Sequence, residues 1–222
     1  MTQHARALLE PRKTPVQARS AASVSAILEA TIQVLLSVGK ERLTTTRVAA
    51  RAGVSVGTLY QYFPNKSALL QAVVKRHFSE ITNAIEAVCH EQRGKSLPEM
   101  ATALVTAFLD AKMKDVNTSL ALYSVSGYVD AAKIVRQMGH GTSKAIAEML
   151  ESASEQMTAD PQLVASMLQG TMAGVSRRLL ESRSPEKGVD AVRRELIVLT
   201  CAYLNACSVR SVQTNGYIRR AG

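Results

Sequence analysis

Between residues 53 and 65 the chain carries four residues that stop or start helices: Gly53, Ser55, Pro64 and Asn65. Gly53 supplies a backbone conformation that other residues resist, so it ends the helix before it. Ser55 caps a new helix, Pro64 ends that helix at Phe63, and Asn65 caps the next. With Thr44 or Thr45 as an upstream cap, the stretch 43–70, LTTTRVAARAGVSVGTLYQYFPNKSALL, is confined to two short helices at an angle and a longer one after them. Val48, Ala49 and Ala52 face inward, and the two alanines are small enough to let the second helix approach closely. Val54 can plug the angle. This is helix-turn-helix chemistry, in which the second helix enters the major groove with its first residues at the base edges.

Helical periodicity continues on both sides. Val24, Ile27, Leu28, Leu35 and Leu36 form one stripe over residues 20–38, with Ser20 or Ser23 as cap and Gly39 as stop. After Asn65 a long helix carries Leu69, Leu70, Val73, Val74, Phe78, Ile81, Ile85 and Val88, and ends near Gly94. Further helices are expected over 97–115, 118–127, 128–156 (one helix or two, since Gly139 and Gly141 weaken it), 161–181 and 185–211. Asp160 and Ser184 cap the last two, and Pro185 suits a first helical position. No strand signal or repeat is present. The fold class is all-α: a three-helix helix-turn-helix domain joined by a long fourth helix to a C-terminal bundle, about nine helices in total. The expected divisions are a flexible basic arm (1–18), the helix-turn-helix domain (19–66), an effector-binding and dimerisation domain (67–211) and a disordered tail (212–222).

The 222-residue chain has a formal net charge of +9, and its charge is unevenly placed. Residues 1–66 hold nine Lys and Arg against three acids, a net +6 of that total. Basic character concentrated at the reading element points to a polyanion partner. Cys89, Cys201 and Cys207, odd in number and widely spaced, do not form a disulfide framework, so a reducing cytoplasm is expected. No apolar run approaches the ~20 residues that span a bilayer, and the first residues are too polar and basic for a signal peptide.

The residue types in the second short helix suit DNA. Ser55, Val56, Gly57 and Thr58 open it with hydroxyls and free backbone N–H groups, which phosphate oxygens accept from. Tyr60 and Tyr62 carry hydroxyls, Gln61 an amide able to read an adenine edge, and Lys66 a charge that neutralises phosphate. The segment resembles the DNA-binding domain of TetR-family regulators. Their pattern is a threonine-rich start to helix 2, an AGVS turn, then GTLYxYFxxK, here Thr44 to Thr46, Ala52 to Ser55, Gly57 to Phe63, and Lys66. The resemblance implies DNA contacts from Thr45, Thr46 and Arg47, and from Ser55, Val56, Gly57, Thr58, Tyr60, Gln61 and Tyr62, with Lys66 on phosphate. It places Leu59 and Phe63 in the core. Arg12, Lys13 and Arg19 of the arm could reach a groove or backbone. Alternatives stay open: Tyr60 packing on helix 1, Tyr62 as a structural residue, and Arg47 and Arg51 as solvated charges.

The resemblance further implies a palindromic double-stranded operator, a homodimer, and a C-terminal pocket for an apolar or amphipathic small-molecule effector. Candidate lining residues are Met100, Leu104, Phe108, Met113, Leu122, Tyr123, Met138, Met149, Met167 and Met172, any of which can instead be plain core. Candidate dimer contacts are Gly170 and Gly174 in the penultimate helix, and Val192, Leu196, Leu199 and Tyr203 in the last. Arg177 and Arg178 either anchor an acidic effector or face solvent. No cofactor, metal site or membrane partner is expected. His4, His77, His90 and His140 are scattered without acid–base or metal-ligand spacing, and no phosphate loop is present, which argues against an enzyme. The implied function is a repressor released by an effector. The alternative is an effector-independent DNA-bound factor that recruits a protein partner.

Overall fold

The computed structural model describes residues 18–125 and 131–209. Nine helices lie among them: α1 (Ala18–Arg42), α2 (Thr45–Ala52), α3 (Val56–Tyr62), α4 (Lys66–Glu91), α5 (Leu97–Met113), α6 (Val116–Val125), α7 (Ala131–Glu151), α8 (Pro161–Leu180) and α9 (Pro185–Ala206). The single extended pairing among them is an isolated antiparallel bridge between Met157 and Ser208. Arg12, Lys13 and the tail 212–222 lie outside the described residues, as does the side chain of Arg19.

Local chemistry sets most boundaries. The Thr44 side chain accepts from Arg47 N–H at the start of α2. Gly53 closes α2 at φ 67°, ψ 28°, where its N–H reaches the carbonyls of Ala49 and Ala50. Ser55 accepts from Thr58 N–H at 2.9 Å and Asn65 from Ala68 N–H at 2.8 Å, which satisfies orphan donors of α3 and α4. Asp160 does the same for Gln162 in α8 at 3.0 Å. Gly39, with φ 73° and ψ 170°, kinks α1 before its last residues. The start of α1 differs from the expectation, because it begins at Ala18 and the Ser20 hydroxyl bonds the Tyr62 hydroxyl instead of capping. Leu36 also departs from its stripe, since it lies on the exposed side of α1. The interrupted region is one helix, α7, running unbroken through Gly139 and Gly141.

Two hydrophobic cores result. The N-terminal one joins Ile27 and Leu35 of α1, Val48 of α2, Leu59 and Phe63, and Leu69, Leu70, Val73 and Val74 of α4. The second fills the bundle with Ile85, Met100, Leu104, Ile146, Leu168 and Leu204, among others. The cores do not divide at residue 66. The first half of α4 belongs to one and the second half to the other, and α6 contributes Leu122 and Val125 to the N-terminal core. By length and composition Ser20–Arg42 is apolar enough to cross a membrane, contrary to the expectation for this chain. Its apolar side is used instead to build the N-terminal core, through Ile27, Ala30, Val34 and Leu35.

A Cβ at Gly53 would meet nothing within 4 Å, so any penalty there is purely a backbone one. Gly53→Ala should therefore destabilise the fold by about 1–2 kcal/mol, read as a shift in the urea midpoint at unchanged slope.

Candidate nucleic-acid interface

The turn between α2 and α3 sets one outward face. Val54 N–H bonds the Ala49 carbonyl at 3.0 Å, and the Val54 side chain packs against the N-terminal core. Leu59 and Phe63 fix the inner side of α3 in that core. The spacing of 3.6 residues per turn then sends Val56 and Tyr60, and Gly57 and Gln61, outward in pairs one turn apart. All four are exposed. Tyr60 keeps 40% of its surface free, and its hydroxyl pairs with Thr45 Oγ1 at 3.0 Å, joining the start of α2 to the middle of α3. Ser55 Oγ lies 2.8 Å from Thr58 Oγ1, so the hydroxyls opening α3 are held as a pair.

The basic groups around this face are held rather than loose. Arg47 Nη1 donates to the Arg42 carbonyl at 3.2 Å, and Thr46 beside it is exposed. Lys66 Nζ donates to the Lys40 carbonyl at 2.6 Å, which ties the head of α4 to the end of α1. Arg51 Nε donates to Gln33 Oε1 at 2.7 Å on the flank. Of the expected DNA contacts, Tyr62 is the one turned the other way. Its ring is 9% exposed within the N-terminal core, and its hydroxyl pairs with Ser20 Oγ at 3.0 Å. Tyr62 follows Leu59 and Phe63 in facing α1, so the structure gives it the structural role.

Two sequence models match this architecture: that of the bacterial regulatory proteins of the tetR family over residues 27–73, and that of the tetracyclin repressor-like C-terminal domain over residues 96–204. The chain belongs to the TetR family. It is a DNA-binding transcriptional regulator of that family. A solved TetR-family transcriptional regulator from Mesorhizobium loti superposes with a TM-score of 0.71 at 20% identity, covering 87% of this chain and all of that one, a likeness of fold. The nucleoid occlusion factor SlmA of Haemophilus ducreyi is 39% identical over 72 residues, 32% of this chain and 36% of that protein. The transcriptional repressor KstR of Rhodococcus jostii is 40% identical over 72 residues, 32% and 30% of the two chains. The matches thus span about a third of these relatives.

Within the TetR bundle, the expected effector and dimer residues separate by depth. Met100, Leu104, Phe108, Met149 and Met172 are buried in the bundle core, whereas Leu122 is buried in the N-terminal core. Met113, Tyr123 and Met138 are half-buried. Met167 corrects its assignment: it lies exposed on the outer side of α8, in line with Leu163, Gly170 and Gly174 at helical spacing. Leu196 corrects another, being 2% exposed inside the bundle, with Tyr203 packed on the same core and Val192 half-buried. The outward face of α9 instead presents Val198, 63% exposed, and Leu199. An apolar stripe has two edges, and only packing decides which one turns outward. A groove of about 860 Å³ opens between α4 and α5, lined by Val88, Gln92, Thr102, Thr106 and Asp110 among others, none of them an expected lining residue.

Sequence reasoning passed over Lys112, which is 4% exposed at the end of α5. Its ammonium lies 4.7 Å from the Tyr123 ring centre and 5.5 Å from that of Phe78. The nearby Ser119 hydroxyl donates to the Lys112 carbonyl at 3.0 Å and lies 3.2 Å from His77 Nε2. With its proton already committed, Ser119 can only accept from His77, which assigns the neutral Nε2–H tautomer to the ring. Burial, then the Lys112 charge, pull the His77 pKa down to about 4, with Arg76 adding to this and Asp115 opposing it. Burial alone lowers Lys112 to about 8. The only signal for Lys112 in the sequence was its position one turn after Phe108 on a buried face.

The unfolded chain takes a proton on His77 near pH 6.5, and the folded one not until about pH 4. Stability should thus fall as pH drops through that window, by about 3 kcal/mol at most from this group. The difference between wild type and His77→Gln, measured by denaturant unfolding at steps from pH 7.5 to 4, should trace that loss.

Proposed function

We propose that this regulator reads a palindromic operator as a homodimer and is released from it by a small molecule bound in its C-terminal part. The observation that carries the DNA half is the single outward face built by Thr45, Val56, Gly57, Tyr60 and Gln61. Thr46, Arg47, Ser55, Thr58 and Lys66 frame it. Base reading falls to Gln61 and Tyr60, and phosphate contact to the hydroxyls and cations. In the free protein the Tyr60–Thr45 pair holds both hydroxyls in place, which reduces the ordering that DNA binding requires.

Dimerisation is assigned to the outer faces of α8 and α9, in a four-helix interface. Leu163, Met167, Val198 and Leu199 are large apolar side chains left in solvent there. Gly170 and Gly174 are exposed between them, and a Cβ at either would meet nothing within 4 Å in the single chain. Such a row allows a second copy to approach closely.

For release, the effector has to favour a dimer whose recognition helices miss successive major grooves, about 34–36 Å apart. Residues 19–66 act as reader and 67–211 as sensor and dimer element, with α4 shared between the two cores and α6, on the sensor side of the chain, packed into the reader's core. A DNA-bound factor indifferent to small molecules is the second reading, favoured by the likeness to nucleoid occlusion factors.

Selection from random duplexes should enrich a palindrome with the wild type. Tyr60→Ala should lose it, whereas Tyr62→Phe should retain it. Absence of any palindrome, including after refolding to remove a co-purified ligand, would sink the operator reading. Met167→Glu combined with Leu199→Glu should give a monomer by light scattering, with operator affinity lowered at least tenfold. A double variant that stays dimeric would move the interface elsewhere.

A further inference from the structure

Among the described residues Lys112 is the only Lys, Arg, His, Asp or Glu to be buried, at 4% exposed. None of the ion pairs among them includes it, so no carboxylate of the described residues lies within 4.0 Å. Two acids on the neighbouring elements, Asp115 and Glu181, are otherwise engaged. Both Asp115 carboxylate oxygens accept from Thr118, at 2.9 and 2.6 Å. Glu181 accepts from Arg177 Nε at 2.9 Å. His77 is neutral and hydrogen-bonded to Ser119. A second cation approaches the same place, since the Arg177 guanidinium carbon lies 6.0 Å from the Tyr123 ring centre. The two ring faces offset part of the cost of burying the ammonium, but they supply no counter-charge.

We propose that Lys112 anchors the carboxylate of a monoanionic small molecule whose apolar or aromatic body lies along Phe78 and Tyr123, where the two cores meet. This rests on the effector-release reading and specifies its ligand. With Arg177 paired to Glu181, Lys112 is left to offer one compact charge, which suits a carboxylate; a phosphate calls for more donors or an uncommitted arginine fork. The flanking rings offer flat apolar walls, so an ion with no organic body gains little there. Lys112 stays mostly protonated at neutral pH despite its lowered pKa, and a bound carboxylate would push that pKa back up.

The test uses the full chain and its selected duplex. The probes are benzoate, phenylacetate, hexanoate and decanoate, each against its primary amide. At millimolar concentration at least one acid should raise the melting midpoint by about 3 °C or more, while its amide leaves it unchanged. Lys112→Met should weaken binding of that acid by about thirtyfold or more, and Lys112→Arg should retain it. The proposal is overturned if no acid shifts the wild type, if the amides act as well as the acids, or if Lys112→Met responds like the wild type. The acid–amide comparison needs no variant, so it decides even if Lys112→Met does not fold. Acids that bind through Lys112 without releasing the duplex would refute effector release and keep the anchor. Release by a neutral compound that persists in Lys112→Met would do the reverse.

Discussion

The structure depends on one helix satisfying two hydrophobic cores. α4 begins at Lys66 beneath the reading head and ends at Glu91 in the bundle, and its buried face passes from Leu69, Leu70, Val73 and Val74 to Ile81, Ile85 and Cys89. At 1.5 Å per residue, its 26 residues span about 39 Å. Packing densities in protein interiors leave little room for either end to shift alone. α6 strengthens this constraint, because its Leu122 and Val125 are buried in the reading head's core although α6 follows the bundle helix α5. The orientation of α3 is therefore coupled to the arrangement of the bundle by packing rather than by a hinge.

What could be read from the sequence divides along physical lines. Capping is local, so Thr44, Gly53, Ser55, Asn65 and Asp160 disclosed their roles without knowledge of the fold. The outward pairs of α3 followed from the same boundaries. Side-chain facing on longer helices was less legible. In α1, α8 and α9 apolar residues cover more than one side, and the choice among sides is made by distant partners. Leu36, Met167 and Leu196 were placed on the wrong sides for that reason, and Tyr62 because its motif position conveys no direction without α1 behind it. Lys112 was illegible for a different reason: a lone lysine in an apolar run normally extends its head to solvent. Only the third dimension puts Phe78 and Tyr123, from two other helices, over its ammonium.

That third dimension also concentrates polar chemistry at one point. Ser119 of α6 holds together the ring of His77 on α4 and the final-turn carbonyl of Lys112 on α5. One hydroxyl thus satisfies an orphan helix carbonyl and fixes a histidine tautomer, at the level where the N-terminal core gives way to the bundle. A ligand shifts a conformational equilibrium only by the difference in its affinity for the two states. A group bound on an outer bundle surface has little reason to distinguish states that differ in the placement of the reading head. A charge held on Lys112 does have one, because the helices that contribute Phe78 and Tyr123 also supply the reading head's core. Small displacements of α4 against α6 would change the separation of the two rings and the depth of the ammonium together. Sensing and DNA reading would then share one mechanical element, with Ser119 at its pivot.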